Sequence, residues 1–210
     1  MPDLAAAPLL RSFFDRDPLV VAPALLGTVI RHERDGETVA VRLTEVEAYL
    51  GEGEDPASHS HRGLRPRNQV MWGPPGHLYV YFTYGMHYCA NLVCRPEGIS
   101  GAVLLRAGEV VGGLDVARAR RPASKRDIDL ARGPARLASA LGFGRADDGR
   151  DVCGGGSLSV LPGKAIAQAR LRSGPRVGVS LGAESPWRYW IEGEPTVSAY
   201  RPAVARSRRP

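Results

Sequence analysis

From Thr28 to Leu50 the chain reads TVIRHERDGETVAVRLTEVEAYL, alternating apolar and polar positions on both sides of Asp35-Gly36. Period-two alternation interrupted by Asp-Gly predicts two antiparallel strands joined by a tight turn. Ahead of it, Asp17 followed by Pro18 reads as a helix start, and LVVAPALLG as a short apolar helix closed by Gly27. Residues 51–76 mix glycine, proline and charged clusters without period, which predicts a long irregular loop; inside a compact domain such loops are functional or disordered. HLYVYFTY and HYCANLVC predict a second hairpin whose tip carries Tyr84, Gly85 and Met86. AVLLRAGEV is a further strand. LDVARARR and PARLASALGF read as helices, the second with Pro134 at its first position. Short strands punctuated by Gly and Pro, including RVGVS and WRYWIEG, then run to about Tyr200. Strands and helices do not alternate in βαβ fashion, so the predicted class is α+β with a largely antiparallel sheet, and there is no internal repeat.

A chain of 210 residues with 43% apolar and 24% charged positions can bury one sizeable core without cross-links. A single domain over residues 11–200 is expected. Residues 1–10 are small and apolar without period, and 201–210, RPAVARSRRP, mix proline with Arg201, Arg206, Arg208 and Arg209; both are expected to be poorly ordered termini. No run of about 18 apolar residues is present, and Asp3 stands where a secretory signal would carry positive charge. An intracellular protein is expected. Cys89, Cys94 and Cys153 form neither an even set nor a CxxC pair and read as small buried hydrophobes. The formal charge of +6 points to a polyanionic partner, nucleic acid or an anionic surface. Only Lys125 and Lys164 among the 28 basic residues are lysines, an excess of arginine that base composition explains better than selection for phosphate contact.

Five of the seven tyrosines and four of the five histidines fall between residues 49 and 88. Tyrosines favour strands and pack on half-buried sheets; they also make stacking platforms for nucleobases, at about 1–3 kcal/mol per base. Strand alternation puts Tyr79, Tyr81 and Thr83 on one face and Leu78, Val80, Phe82 and Tyr84 on the other. The same rule puts Leu43, Glu45, Glu47 and Tyr49 together. A buried carboxylate is costly without partners. A solvated face is the reading for Glu45, whereas Tyr49 and the histidine-bearing loop beside Glu47 make that residue a candidate catalytic carboxylate. His59 and His61 lack the HExxH or cysteine pattern that would support a metal site.

The run TEVEAYLGEGEDPASHSHRG…RPRNQVMWGPPGHLYVYFTYGMHYCANLVC…GAVLLRAGEV closely resembles the alkyladenine (3-methyladenine) DNA glycosylase family, the one without a helix-hairpin-helix motif. The resemblance covers most of residues 13–145, is strongest over 44–107, and extends to ARGPARLASALGF and RVGVS. It implies a single α+β domain with a curved antiparallel sheet, surrounding helices and a β-hairpin that protrudes into the DNA minor groove. It also implies a monofunctional enzyme that flips alkylated purines, with deaminated purines a candidate second class, out of damaged double-stranded DNA and hydrolyses the N-glycosidic bond. By position, Glu47 matches the family's general base. Arg106 matches the arginine that helps hold the water and a nearby phosphate. Tyr49, His59 and Tyr81 match the residues around the flipped base, Asn91 the side chain obstructing the guanine amino group, and Tyr84 the wedge that fills the stack. No cofactor and no metal is called for, and a monomer acting at the nucleoid or in the nucleus is expected. Two other readings are a non-catalytic module for distorted DNA and an RNA-binding β-domain; intact Glu47 argues against the first, while the basic tail and aromatic strands favour the second.

Overall fold

The computed structural model describes residues 3–83 and 85–203. Asp35 and Gly36 both take positive φ, 54° and 79°, which a two-residue hairpin turn of the primed type requires. They join β1 (Val29–Arg34) to β2 (Glu37–Tyr49), paired from Arg34 opposite Glu37 to Val29 opposite Arg42. β2 is the spine of the sheet. β5 (Ala102–Gly112) runs along one edge of it, and β8 (Arg188–Ile191) shares the other edge with β1, pairing with Glu45, Val46 and Glu47. The second hairpin, β3 (Leu78–Thr83) and β4 (His87–Val93), pairs from Leu78 opposite Leu92 to Thr83 opposite His87. With β6 (Leu158–Leu161) and β7 (Leu171–Gly174), all pairs are antiparallel; the order is β3-β4-β5-β2-β1-β6, with β8 and β7 branching from β2. The class is α+β, as expected.

Helices α1 (Arg11–Phe14), α2 (Pro18–Leu25), α3 (Leu114–Arg120) and α4 (Pro134–Leu141) cover the sheet, α4 resting on β4 and β5 and α2 on β2. The Asp17 side chain accepts from Leu19 N at 2.9 Å and caps α2, while Pro134 opens α4 as predicted. Their apolar faces, among them Val21, Leu25, Leu137 and Leu141, join Ile30, Val39, Val41 and Leu105 in the main core. No described helix is long and apolar enough to cross a membrane. In the N-terminal segment Leu9 N donates to Val160 O at 2.8 Å, and Leu4 packs beside Val29, Ala40 and Leu161. Arg206, Arg208 and Arg209 of the basic tail lie outside the described residues.

Strict alternation fails inside β2, and the failure makes the site. Val39, Val41 and Leu43 face the main core, but so do Val46 and Ala48, because the register against β5 shifts on both sides of Glu45. This bulge hands Glu45, Glu47 and Tyr49 to the opposite face from Leu43, where simple alternation had placed all four together. The partner at the bulge is Gly108, opposite Leu43; a Cβ there would stand 2.5 Å from Arg42 O. A second correction concerns RVGVS, which is a turn and not a strand. Arg176 is drawn into the interior, Val177 N is taken by a side chain, and Gly178 has φ +69°, so no ladder forms there.

Candidate active site

The bulged end of β2 sends two carboxylates inside. Glu45 and Glu47 are both 0% exposed, so the solvated face expected for Glu45 is overturned. The cause is tertiary: β8 pairs with β2 at this point and brings Arg188, and residues near 198 close over the top.

Their hydrogen bonds separate the two acids. Glu45 Oε1 accepts from Arg106 Nε at 2.9 Å, Arg188 Nε at 2.6 Å and Ser198 Oγ at 2.9 Å, while Oε2 accepts from Ser198 N at 2.7 Å. An ionised carboxylate offers about four acceptor positions, two on each oxygen; Glu45 accepts four bonds, three of them crowded on Oε1. Glu47 Oε1 accepts from Val177 N at 2.7 Å; its Oε2 accepts from Tyr49 Oη at 2.9 Å and from Arg106 Nη1 at 3.4 Å. One acceptor position of Glu47 is therefore unclaimed among the described residues, and a general base needs such a position to receive a proton from water. Arg106, on β5, spans both acids. Burial alone would lower the pKa of its guanidinium, but Glu47 and Glu45 raise it above the ordinary arginine value.

In front of Tyr49 lies a cleft lined by Tyr49, His59, Met71, Tyr79, Tyr81 and Asn91. The structure thus brings together every sequence-predicted base-binding residue. Tyr79 and Tyr81, on one face of β3, stack with centroids 5.7 Å apart, and the His59 ring stands edge-on to Tyr81 at 4.5 Å. His59 Nδ1 and Tyr79 Oη are 3.0 Å apart. Asn91, opposite Tyr79 on β4, is 5% exposed and donates to Tyr79 O at 3.3 Å. Burial drives the Tyr79 hydroxyl up to about 12 and raises Tyr49 and Tyr81 well above the usual phenol value. All three stay neutral, so they can donate hydrogen bonds and keep their π-faces. Tyr84 lies outside the described residues.

Residues 51–76 hold their shape through a polar interior. Asn68, fully buried, donates to His59 O at 2.8 Å and accepts from Arg65 N at 2.7 Å. Asp55, also fully buried, accepts from Leu50 N and Ala57 N. Ala57 and Ser58 consequently form part of the cleft wall.

Burial first, and Arg67 second, push the His59 imidazole below 6.5. A neutral ring in the wall does not repel a cationic base. The expected NMR titration midpoint of His59 lies below 6.5 in the free protein; a midpoint at or above 6.5 contradicts this account.

Sequence reasoning missed several residues of the site, among them Arg188 and Ser198, which hold Glu45. Tyr79 shares a face with Tyr81, and that signal was available. Met71, Arg176 and Val177 come from a 3-10 helix (Gln69–Trp72) and from the turn that had been read as a strand. A second cleft lies beside the carboxylates, with Arg106, Arg132, Arg136, Val177, Ser198 and Arg201 in its lining.

The site thus joins a buried, hydrogen-bonded carboxylate, flanked by arginines, to an aromatic cleft. The methylpurine-DNA glycosylase family model matches residues 12–195, and the chain belongs to that family. It is therefore a DNA glycosylase, a hydrolase of N-glycosyl bonds that acts in DNA repair. Proteins provisionally named 3-methyladenine DNA glycosylases are close relatives. One from Streptomyces avermitilis is 54% identical over 96% of both chains, and one from Leifsonia xyli is 54% identical over 91% of this chain and 92% of its own. Another, from Burkholderia lata, is 48% identical over 94% of both.

Proposed function

We propose that the chain releases alkylated purines of the 3-methyladenine kind from damaged double-stranded DNA, with Glu47 as the general base. The observation that carries this reading is the unclaimed acceptor position of Glu47 beside the aromatic cleft. A purine glycosidic bond is out of reach inside the stack, so the nucleotide must be flipped outward. The base then enters between Tyr49 and the His59–Tyr81 wall, with Asn91 obstructing a guanine amino group and Tyr84, by the resemblance, filling the stack. Water gives a proton to Glu47 and its oxygen bonds the sugar C1′, while the C1′–N bond breaks and its electron pair leaves with the purine. The carboxylate charge stabilises the sugar as positive charge develops. An alkylated, cationic purine becomes neutral on leaving, and its stacking on Tyr49 and Tyr81 gains a cation–π contribution of about 0.5–2 kcal/mol. The products are a free base and an abasic site.

A covalent imine route needs an amine in the cleft. Lys125 and Lys164 are exposed and neither lines it. Both walls of the cleft and the carboxylate come from one chain, which supports a monomer as the active unit.

The deciding experiment is base release from duplexes carrying single lesions. Release from alkylated duplex is expected. Tight binding of damaged duplex without release points to a non-catalytic module, and stronger competition by structured RNA than by DNA points to an RNA-binding role.

The arginine-lined cleft beside Glu47 supplies the path for the DNA backbone. Arg136 is exposed, and Arg132 Nε already donates to Val197 O at 3.0 Å. Each phosphate neutralised on B-DNA adds about 0.9 to the slope of log affinity against log salt. Arg136→Ala is expected to lower the slope of duplex binding by about that amount and to leave single-turnover release at saturating enzyme unchanged. An unchanged slope removes Arg136 from the path.

A further inference from the structure

Tyr49 lines the cleft, whereas Arg176 does not. Over the ring stands the guanidinium of Arg176, its carbon 4.6 Å from the Tyr49 centroid and 4.9 Å from the centroid of Trp187. Arg176 is 1% exposed and held from several directions. Nη1 donates to Asp55 Oδ2 at 2.6 Å and to Ala48 O at 3.0 Å, and Nη2 donates to Asp55 Oδ1 at 2.9 Å. Asp55 grips the edge of the guanidinium, leaving its flat face to the ring.

A cation on one face of an aromatic ring draws π-density toward itself, so a second cation on the opposite face gains less. A neutral purine stacking there does not incur that loss. We propose that Arg176 is a specificity-determining residue: from behind Tyr49 it weakens the ring's preference for positively charged purines and keeps neutral damaged purines within the substrate range. The inference rests on the base-release reading above. Arg176 touches no reacting atom and acts through Tyr49. Its neighbour Val177 donates its N–H to Glu47 Oε1, so loss of Arg176 also disturbs the carboxylate. That disturbance by itself also favours cationic purines, so the π-effect is read as the difference between the charge-neutralising variants and Arg176→Lys, which disturbs the same backbone while keeping the charge.

The test is a ratio of single-turnover release rates from two duplexes at pH 7, one with 3-methyladenine, which is cationic and lacks the guanine amino group that Asn91 obstructs, and one with hypoxanthine, which is neutral. Neutralising the buried pair together avoids stranding Asp55. In Asp55→Asn/Arg176→Gln the cationic-to-neutral ratio is expected to rise about 2- to 10-fold over wild type, even as both rates fall. Asp55→Leu/Arg176→Met gives the same comparison with an apolar pair, should the amide pair not fold. Arg176→Lys keeps the charge and is expected to hold the ratio within about twofold of wild type. A ratio that does not move in a folded neutral variant, or that rises as much in Arg176→Lys, assigns Arg176 a purely structural role and overturns the proposal. Wild-type enzyme that releases 3-methyladenine but no hypoxanthine also overturns it. Failure to release either base sinks the glycosylase reading instead.

Discussion

Glu47→Gln is expected to bind lesion DNA nearly as well as wild type and to release the base at least about 100-fold more slowly. General-base assistance contributes typically 10²–10⁴-fold, and the lost negative charge near the developing positive sugar adds to it. The amide is the right probe because the architecture around Glu47 tolerates it. Its carbonyl oxygen can still accept from Val177 N, the Tyr49 hydroxyl can rotate to accept in place of donating, and Arg106 remains bound to Glu45. Residual activity should favour cationic purines, which bring their own leaving-group activation; a neutral purine must also be protonated. Single-turnover kinetics alongside an equilibrium binding measurement check both halves. Release within a few-fold of wild type removes Glu47 from the base role. Loss of binding to the same extent as loss of rate assigns it to shaping the cleft instead.

What the chain disclosed in advance followed the range of its causes. The Asp35-Gly36 hairpin and the Pro134 helix start are set by neighbouring residues, so they were legible. Glu47, Tyr49, His59 and Tyr81 were legible as residue types in a dense aromatic segment, and the family resemblance gave them roles. The bulge that turns Glu45 and Glu47 inward was not, because it needs a glycine at position 108 on the facing strand, far along the chain. Nor was the interior placement of Arg176, whose partner Asp55 is 121 residues away. Read locally, RVGVS alternates like a strand. In the fold its arginine, its valine N–H and its glycine each serve a different contact. Contacts that join the ends of the chain override local pattern where the site is built.

Glu45 supplies the second large effect, and it should appear in stability. Glu45→Gln is expected to lower unfolding free energy by about 3 kcal/mol, because removing one partner of a buried ion pair strands the others. Arg188 stands to lose most: it is 5% exposed, bonds Glu45 at 2.6 Å, and otherwise donates to Ser198 O and lies over the Trp190 ring. Arg106 is better protected, since Glu47 still faces it at 3.4 Å. A glutamine has one acceptor oxygen where the native carboxylate meets four donors, so Ser198 N, Ser198 Oγ and the two guanidinium groups must compete for it. Urea unfolding followed by circular dichroism reads the loss directly. At temperatures where the variant stays folded, base release should fall less than in Glu47→Gln, because the unclaimed acceptor of Glu47 survives. A Glu45→Gln protein with wild-type stability and no activity, beside an active Glu47→Gln, exchanges the two roles and makes Glu45 the base.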